Sequence, residues 1–342
     1  MGAARRIAAA LLSVVFIAEL TGCVDPREAR RELFAMDTYM ELRAYGEGSD
    51  GALSLAEDVI KQLDGLLSAT DERSELSKIN RSHGEPVSVS AETLDALSEA
   101  LAISGKVGGA LELSLRPVTL AWGFTTGEYR VPTEEELAEL LPLVDDGKVV
   151  LDEAALTVTL PAGMMLDLGS VAKGYACDRA AEALSEAGVS GMLLNMGSST
   201  ILARGSKPDG SKWRIAVRDP EGGYAGYIDT DGACVSTSGG AERFFTGDDG
   251  EIYWHIIDPA TGRPAKNGAL AVTVVTESAL WGDALSTALF VMGSDKAKEF
   301  YNKDKSFEYL FIMEDGSLIL STGMEGMFTP LGRFAESGAA SQ

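Results

Sequence analysis

Apolar positions along the chain recur with two different periods, which predicts interleaved strands and helices. Phe34 to Ala44 alternates apolar and polar side chains, as a strand does. Residues 51–67 carry Ala52, Ala56, Val59, Leu63 and Leu66 at helical spacing, with Asp50 as the expected N-cap. A second helix is expected after Ser90, with Leu94, Leu97 and Leu101 on one face. Pro132 followed by Thr133-Glu-Glu-Glu136 is a capping box and starts a short helix. Residues 148–160 read as two strands around a turn near Asp152-Glu153. The stretch 170–187 is helical, ends at Gly188 and leads into the buried strand Met192-Leu193-Leu194. Further strands are expected at 213–217, 225–229, 233–236 and 269–275, then helices at 279–291 and 295–302. Strands 308–313 and 317–321 flank the turn Asp315-Gly316. The alternation is not the strict strand–helix–strand order of a doubly wound sheet, so the fold class is α+β.

The first residues follow a different pattern. Arg5-Arg6 precede an apolar run from Ile7 to Ala18, too short to span a bilayer, and Leu20-Thr21-Gly22 lead to Cys23. This is similar to a bacterial lipoprotein signal, in which Cys23 becomes the lipidated first residue; an ordinary secretory signal is the alternative. The expected organisation is a signal over 1–22, a tether over 23–33, one catalytic unit over 34–330 and a flexible tail over 331–342. The protein is expected to face the extracytoplasmic side of a bacterial cell membrane, held by its lipid anchor.

The chain has 342 residues, with 29 Lys and Arg against 52 Asp and Glu, a net charge of −23. Removing residues 1–22 takes out Arg5, Arg6 and Glu19, which leaves the body at −24. Such an acidic surface argues against nucleic acid as a partner, because phosphate backbones demand clustered Lys and Arg. Two histidines and three cysteines cannot build an ordinary zinc site or a disulfide scaffold, so a metal here is expected on oxygen ligands. Cys177 and Cys234 lie in a helical and a strand-like stretch and are expected as buried free thiols, with pairing as the alternative.

Four segments carry candidate chemistry. Asp167-Leu-Gly-Ser170-Val-Ala-Lys173-Gly174 puts a carboxylate before a helix start and a lysine one turn inside it, suited to an anionic ligand at the helix N-terminus. An N-terminal cap and a solvated lysine would look the same. Asp283-Ala-Leu-Ser286-Thr287 places three oxygens on one helical turn, a set that suits a hard cation such as Mg²⁺; a capped helix with small packing residues is the plainer reading. In His255-Ile-Ile-Asp258-Pro-Ala-Thr-Gly262-Arg-Pro264, His255 is the strong candidate for proton transfer near neutral pH. Asp258 either orients it or holds the turn. The other histidine, His83, sits in the polar loop Asn80 to Glu85 and reads as a surface residue. Ser236-Thr-Ser-Gly239-Gly240 with Glu242-Arg243 suits a phosphate or ribose, or is only a turn. No G-x-G-x-x-G, Walker A or G-x-S-x-G pattern is present, which excludes Rossmann, P-loop and α/β-hydrolase readings.

Together these segments resemble the ApbE family of flavin transferases. The resemblance rests on Met36-Asp-Thr, Asp71 to Asn80, Pro117 to Phe124, Asp167 to Tyr175, Asn195-Met-Gly197, Ser236 to Gly239, His255 to Pro264 and Asp283 to Gly293, in family order over residues 34–322. It implies an ApbE-like α+β fold that binds FAD as substrate and uses Mg²⁺ to transfer FMN to a Thr or Ser of an acceptor flavoprotein, releasing AMP. By the same resemblance, Met36, Ala110, Leu111, Glu112, Asp167, Lys173 and Ile257 contact FAD. Asp283, Ser286 and Thr287 with the Ser170 carbonyl hold Mg²⁺, and His255 deprotonates the acceptor hydroxyl. Three departures stand out. Glu112 replaces the usual Asp, Ser198 replaces a glycine, and Ser68-Ala-Thr-Asp71 lacks the Tyr that typically stacks on flavin. FAD hydrolysis to FMN and AMP, and flavin binding without chemistry, remain the alternatives.

Overall fold

The computed structural model describes residues 28–197, 199–205, 207–336 and 340–341. The signal segment, the expected anchor Cys23 and Ser198 lie outside the described residues.

Strands Glu28–Ala35 and Thr38–Tyr45 pair antiparallel along their whole length. A hairpin therefore stands where the alternation predicts a tether and then one strand, and it begins six residues before Phe34. Its turn residues Met36 and Asp37 have φ of 49° and 58°. This two-residue turn matches the twist of the strands but normally uses Asn-Gly or Asp-Gly, so Met-Asp gives no turn signal in the sequence. The hairpin opens a nine-stranded sheet. Its order continues with Gly191–Asn195, Thr200–Gly205, Cys234–Gly239, Ala269–Thr276, Glu308–Met313, Leu318–Leu320 and Ala340–Ser341. Every neighbouring pair is antiparallel except the last.

Helices Ser49–Leu67, Ala172–Glu186 and Ala279–Lys303 cover one face of this sheet. A three-stranded sheet of Phe328–Pro330, Tyr224–Thr230 and Trp213–Arg218 covers the other. The central strand Ala269–Thr276 feeds both cores, Val272 and Val274 towards the helices and Val275 towards the small sheet. It therefore reads as an unbroken apolar run, whereas Trp213–Arg218, with one face in water, alternates buried and exposed. The expected tail is not loose throughout. Leu331 N–H donates to the Ala225 carbonyl at 2.8 Å, and Phe334 is buried in the second core.

Local signals fare unevenly. Thr133 caps its helix in the expected capping box with Glu136, and Ser90 caps the helix expected after it. Helix Ser49–Leu67 is instead preceded by Gly48, with no side-chain cap, and Asp50 sits inside its first turn. Its buried stripe runs through Ala52, Ala56, Ile60, Leu63 and Leu67, leaving Val59 and Leu66 at the edge. The two expected helices after Ser278 form one rod that bends at Gly293, where φ is 74°. Asn267 Nδ2 donates to the Phe290 carbonyl at 2.7 Å beside that bend. Strand Thr200–Gly205 and helices Glu75–Asn80 and Arg116–Ala121 are elements the periodicity did not reveal.

Candidate active site

The site begins where two helices start side by side. Gly174, in the first turn of Ala172–Glu186, lies so close to the start of Ala279–Lys303 that a Cβ there would sit 2.4 Å from the Ala279 carbonyl oxygen. The two helix starts cap each other. Asp178 Oδ1 accepts from Ala279 N–H at 3.0 Å and Asp178 Oδ2 from Leu280 N–H at 2.9 Å. In return, Asp283 Oδ2 accepts from Gly174 N–H at 3.0 Å, and Thr200 Oγ1 donates to Asp283 Oδ1 at 3.1 Å. Asp167 is not a helix cap: the helix starts at Ala172 behind Val171, with no side-chain cap.

Asp283 is buried, and among the described residues no cationic side chain lies within ion-pair distance of it. Burial raises its pKa, while the charge of Lys173 and the Gly174 and Thr200 hydrogen bonds work in the opposite direction. A desolvated carboxylate without an ion-pair partner fits a nearby cation. Asp283, Thr287 and Ser170 border the same cavity. Ser286 is buried behind it, its Oγ donating to the Asp283 carbonyl at 3.0 Å and lying 2.8 Å from Ser238 Oγ. Ser238 also lies 3.1 Å from Thr287 Oγ1. The Ser236-Thr-Ser-Gly239 segment is thus strand Cys234–Gly239 rather than a turn, and Ser238 ties it to the helical trio. These donors are all oxygen and include one carboxylate, which suits a hard cation and not zinc. Cys177 and Cys234 are buried free thiols, as expected, and burial raises the pKa of both.

His255 borders the same cavity. The segment carrying it turns through the short pair Ile257–Asp258 and Arg263–Pro264, and Trp122 Nε1–H fastens that turn by donating to the Gly262 carbonyl at 2.8 Å. The Arg243 carbonyl accepts from His255 N–H at 3.0 Å and lies 3.2 Å from His255 Nδ1. A carbonyl only accepts, so Nδ1 carries the ring proton and Nε2 presents a lone pair. Burial, with the positive charge of Arg243 and Lys173, lowers the pKa of His255 to about 4. Asp258 does not orient the ring: its Oδ1 accepts from Ala260 N–H at 2.9 Å and holds the turn. His83 is exposed, with φ of 52°.

The cleft has two lobes. Ala110, Leu111, Glu112 and Ile257 border the lobe containing His255 and Asp283, whereas Met36, Ser68, Ala69 and Thr70 border the other. Thr125, Asp167, Gly169, Lys173 and Arg243 belong to both and form the waist. Every residue that the resemblance assigns to flavin contact therefore borders one cleft. Glu112 is partly committed inside the protein: Oε1 accepts from Ser114 Oγ at 2.6 Å and Asp146 N–H at 2.8 Å, and burial raises its pKa. Asp167 is held from both sides, by Arg116 Nη1 at 3.3 Å and Gly169 N–H at 2.8 Å. Asn80 anchors the preceding residue, exchanging two hydrogen bonds with the Leu166 backbone at 2.8 and 2.7 Å. Arg116, Thr200 and Asp178 carried no signal in the sequence, because their partners lie far along the chain.

A neutral imidazole, a buried oxygen cluster and a cleft with a cationic waist define an enzyme site for a long anionic ligand. The ApbE family model matches residues 36–311. The FAD:protein FMN transferase of Haemophilus influenzae is 32% identical over 275 residues, covering 77% of this chain and 79% of that protein. The enzyme of the same name from Escherichia coli K12 is 30% identical over 295 residues, covering 82% and 83%. Among solved structures, the ApbE protein of Thermotoga maritima matches with a TM-score of 0.82 at 30% identity, over 88% of this chain and 99% of that one. The flavin transferase ApbE of Vibrio cholerae matches at 0.77 and 28% identity, with the same coverage. The chain belongs to the ApbE family. It is a transferase with the α+β fold of the ApbE flavin transferases.

Proposed function

We propose that this transferase moves FMN from FAD to a Thr or Ser hydroxyl of an acceptor flavoprotein and releases AMP. The observation that carries the reading is a neutral His255, with Nε2 unprotonated, bordering the same lobe as Asp283 and Thr287. The acceptor oxygen attacks the phosphorus on the flavin side, and His255 Nε2 takes its proton. The bond from that phosphorus to the bridging oxygen breaks, and the oxygen leaves with AMP. Asp283, Thr287 and the Ser170 carbonyl would hold Mg²⁺, with Ser286 supporting the turn from behind. The ion, when bound, neutralises charge on the pyrophosphate. Met36, Ala110, Leu111, Glu112, Asp167, Lys173 and Ile257 bind and orient FAD. Cys23 would anchor the enzyme to the membrane on the extracytoplasmic side, where its acceptor lies.

Incubation with FAD, Mg²⁺ and an acceptor protein tests this reading. Flavin fluorescence that survives denaturation of the acceptor, with equimolar AMP, is the expected outcome. Free FMN and AMP without labelled acceptor would make the protein a hydrolase, and intact FAD would make it a binder.

A further inference from the structure

We propose that Arg243 grips the phosphate link of the ligand at the waist of the cleft and so sets its preference for a dinucleotide. The inference rests on FAD being the ligand.

Among the described residues, only two cationic side chains, Lys173 and Arg243, border both lobes. FAD has a neutral flavin end, a neutral adenosine end and an anionic pyrophosphate between them, so its negative charge falls where the lobes meet. Arg243 is free to answer it. The chain has 52 acidic residues, yet among the described residues no carboxylate lies within 4.0 Å of the Arg243 guanidinium. Its one described side-chain hydrogen bond is Nη1 to the Phe124 carbonyl at 3.3 Å, which leaves most of its donors unspent. Arg116, which borders only the second lobe, is already committed to Asp167 and to the Ala69 carbonyl at 2.6 Å. Lys173 offers a point charge, whereas a guanidinium offers a planar fork that matches phosphate oxygens in pairs.

Arg243 is also fixed at its root. Its carbonyl accepts from both His255 N–H and His255 Nδ1–H. The same residue that orients the base therefore carries the fork, which ties the phosphate position to the position of Nε2. The cleft needs this charge, because Asp167, Glu242 and Asp283 also border it and would repel an anion.

The test is an equilibrium FAD titration of the full-length protein by flavin fluorescence, for wild type, R243M and R243K, across a range of salt concentrations. R243M is expected to weaken FAD binding about tenfold to a hundredfold and to flatten its salt dependence. R243K is expected to keep the salt dependence but not the full affinity. Unchanged affinity in R243M overturns the proposal. So does weakened binding with an unaltered salt slope, since that would be a structural effect. If R243M melts early, R243K alone decides: an affinity equal to wild type overturns the fork. A wild type that binds FAD but labels no acceptor refutes the transfer reading and leaves Arg243 standing. A wild type that labels, with R243M showing the same KM for FAD, does the reverse.

Discussion

The contact between the two helix starts gives a sharp test, because one substitution should act with opposite signs at two glycines. In Gly174→Ala the new methyl carbon would lie 2.4 Å from the Ala279 oxygen and 2.7 Å from Leu280 Cα, both backbone atoms. Ordinary contact begins at 3.4 Å, so the helices must part by about 1 Å. That motion stretches the 3.0 Å hydrogen bond from Gly174 to the buried Asp283. Overpacking costs about 1–3 kcal/mol and loss of a hydrogen bond to a charged group about 1.5–3, so the sum is about 2.5–6 kcal/mol. In Gly65→Ala the methyl meets nothing within 4 Å on an exposed stretch of helix Ser49–Leu67. There the gain in helix propensity should stabilise by about 0.5–1 kcal/mol. Urea denaturation of both variants, followed by circular dichroism, reads the two effects as midpoint shifts in opposite directions with an unchanged slope. A Gly174→Ala midpoint within error of wild type would refute the claim that this glycine sets the helix separation.

Asp283→Asn keeps a carbonyl oxygen for Gly174 N–H and removes the charge, so the fold should survive while Mg²⁺ dependence is lost. Activity that remains sensitive to EDTA in this variant would refute the metal assignment. His255, with its pKa lowered to about 4, should keep the transfer rate level from neutral pH down to about 5 and let it fall through 4. The same shift predicts a stability effect. The unfolded chain takes up the proton near pH 6.5 and the folded chain does not, so stability is full above 6.5 and declines as pH falls towards 4. In His255→Gln that part of the pH dependence of the urea midpoint should vanish, and an unchanged profile would show that the ring is not held neutral.

What was legible in the sequence was mostly what is local. Thr133 was readable as a cap because a cap acts within three residues, and the Asp283, Ser286 and Thr287 trio because a helix turn is four. His255 stood out because the chain has only two histidines. The hairpin at Met36-Asp37 was hidden because its turn uses no glycine, and strand Thr200–Gly205 because its pattern is broken by Arg204 and Gly205. The role of Asp178 was invisible, since its partners Ala279 and Leu280 lie 101 and 102 residues away. For Arg243 the residue was noticed, but its carbonyl, which fixes the imidazole tautomer, is main chain and leaves no mark in a sequence.

The mutual capping of the two helices bears on how the site comes into being. Asp178 and Asp283 each bind backbone amides at the start of the other helix, beside the local cap of Ser278 Oγ on Trp281 N–H, and Gly174 is 109 residues from Asp283. The partners of these three amides lie 101 to 109 residues away, so the amides of Gly174, Ala279 and Leu280 become shielded together, when the two helices dock. Hydrogen exchange at these three positions should then occur through the same opening. An opening that parts the two helices would free these amides and unseat Asp283 at the same moment.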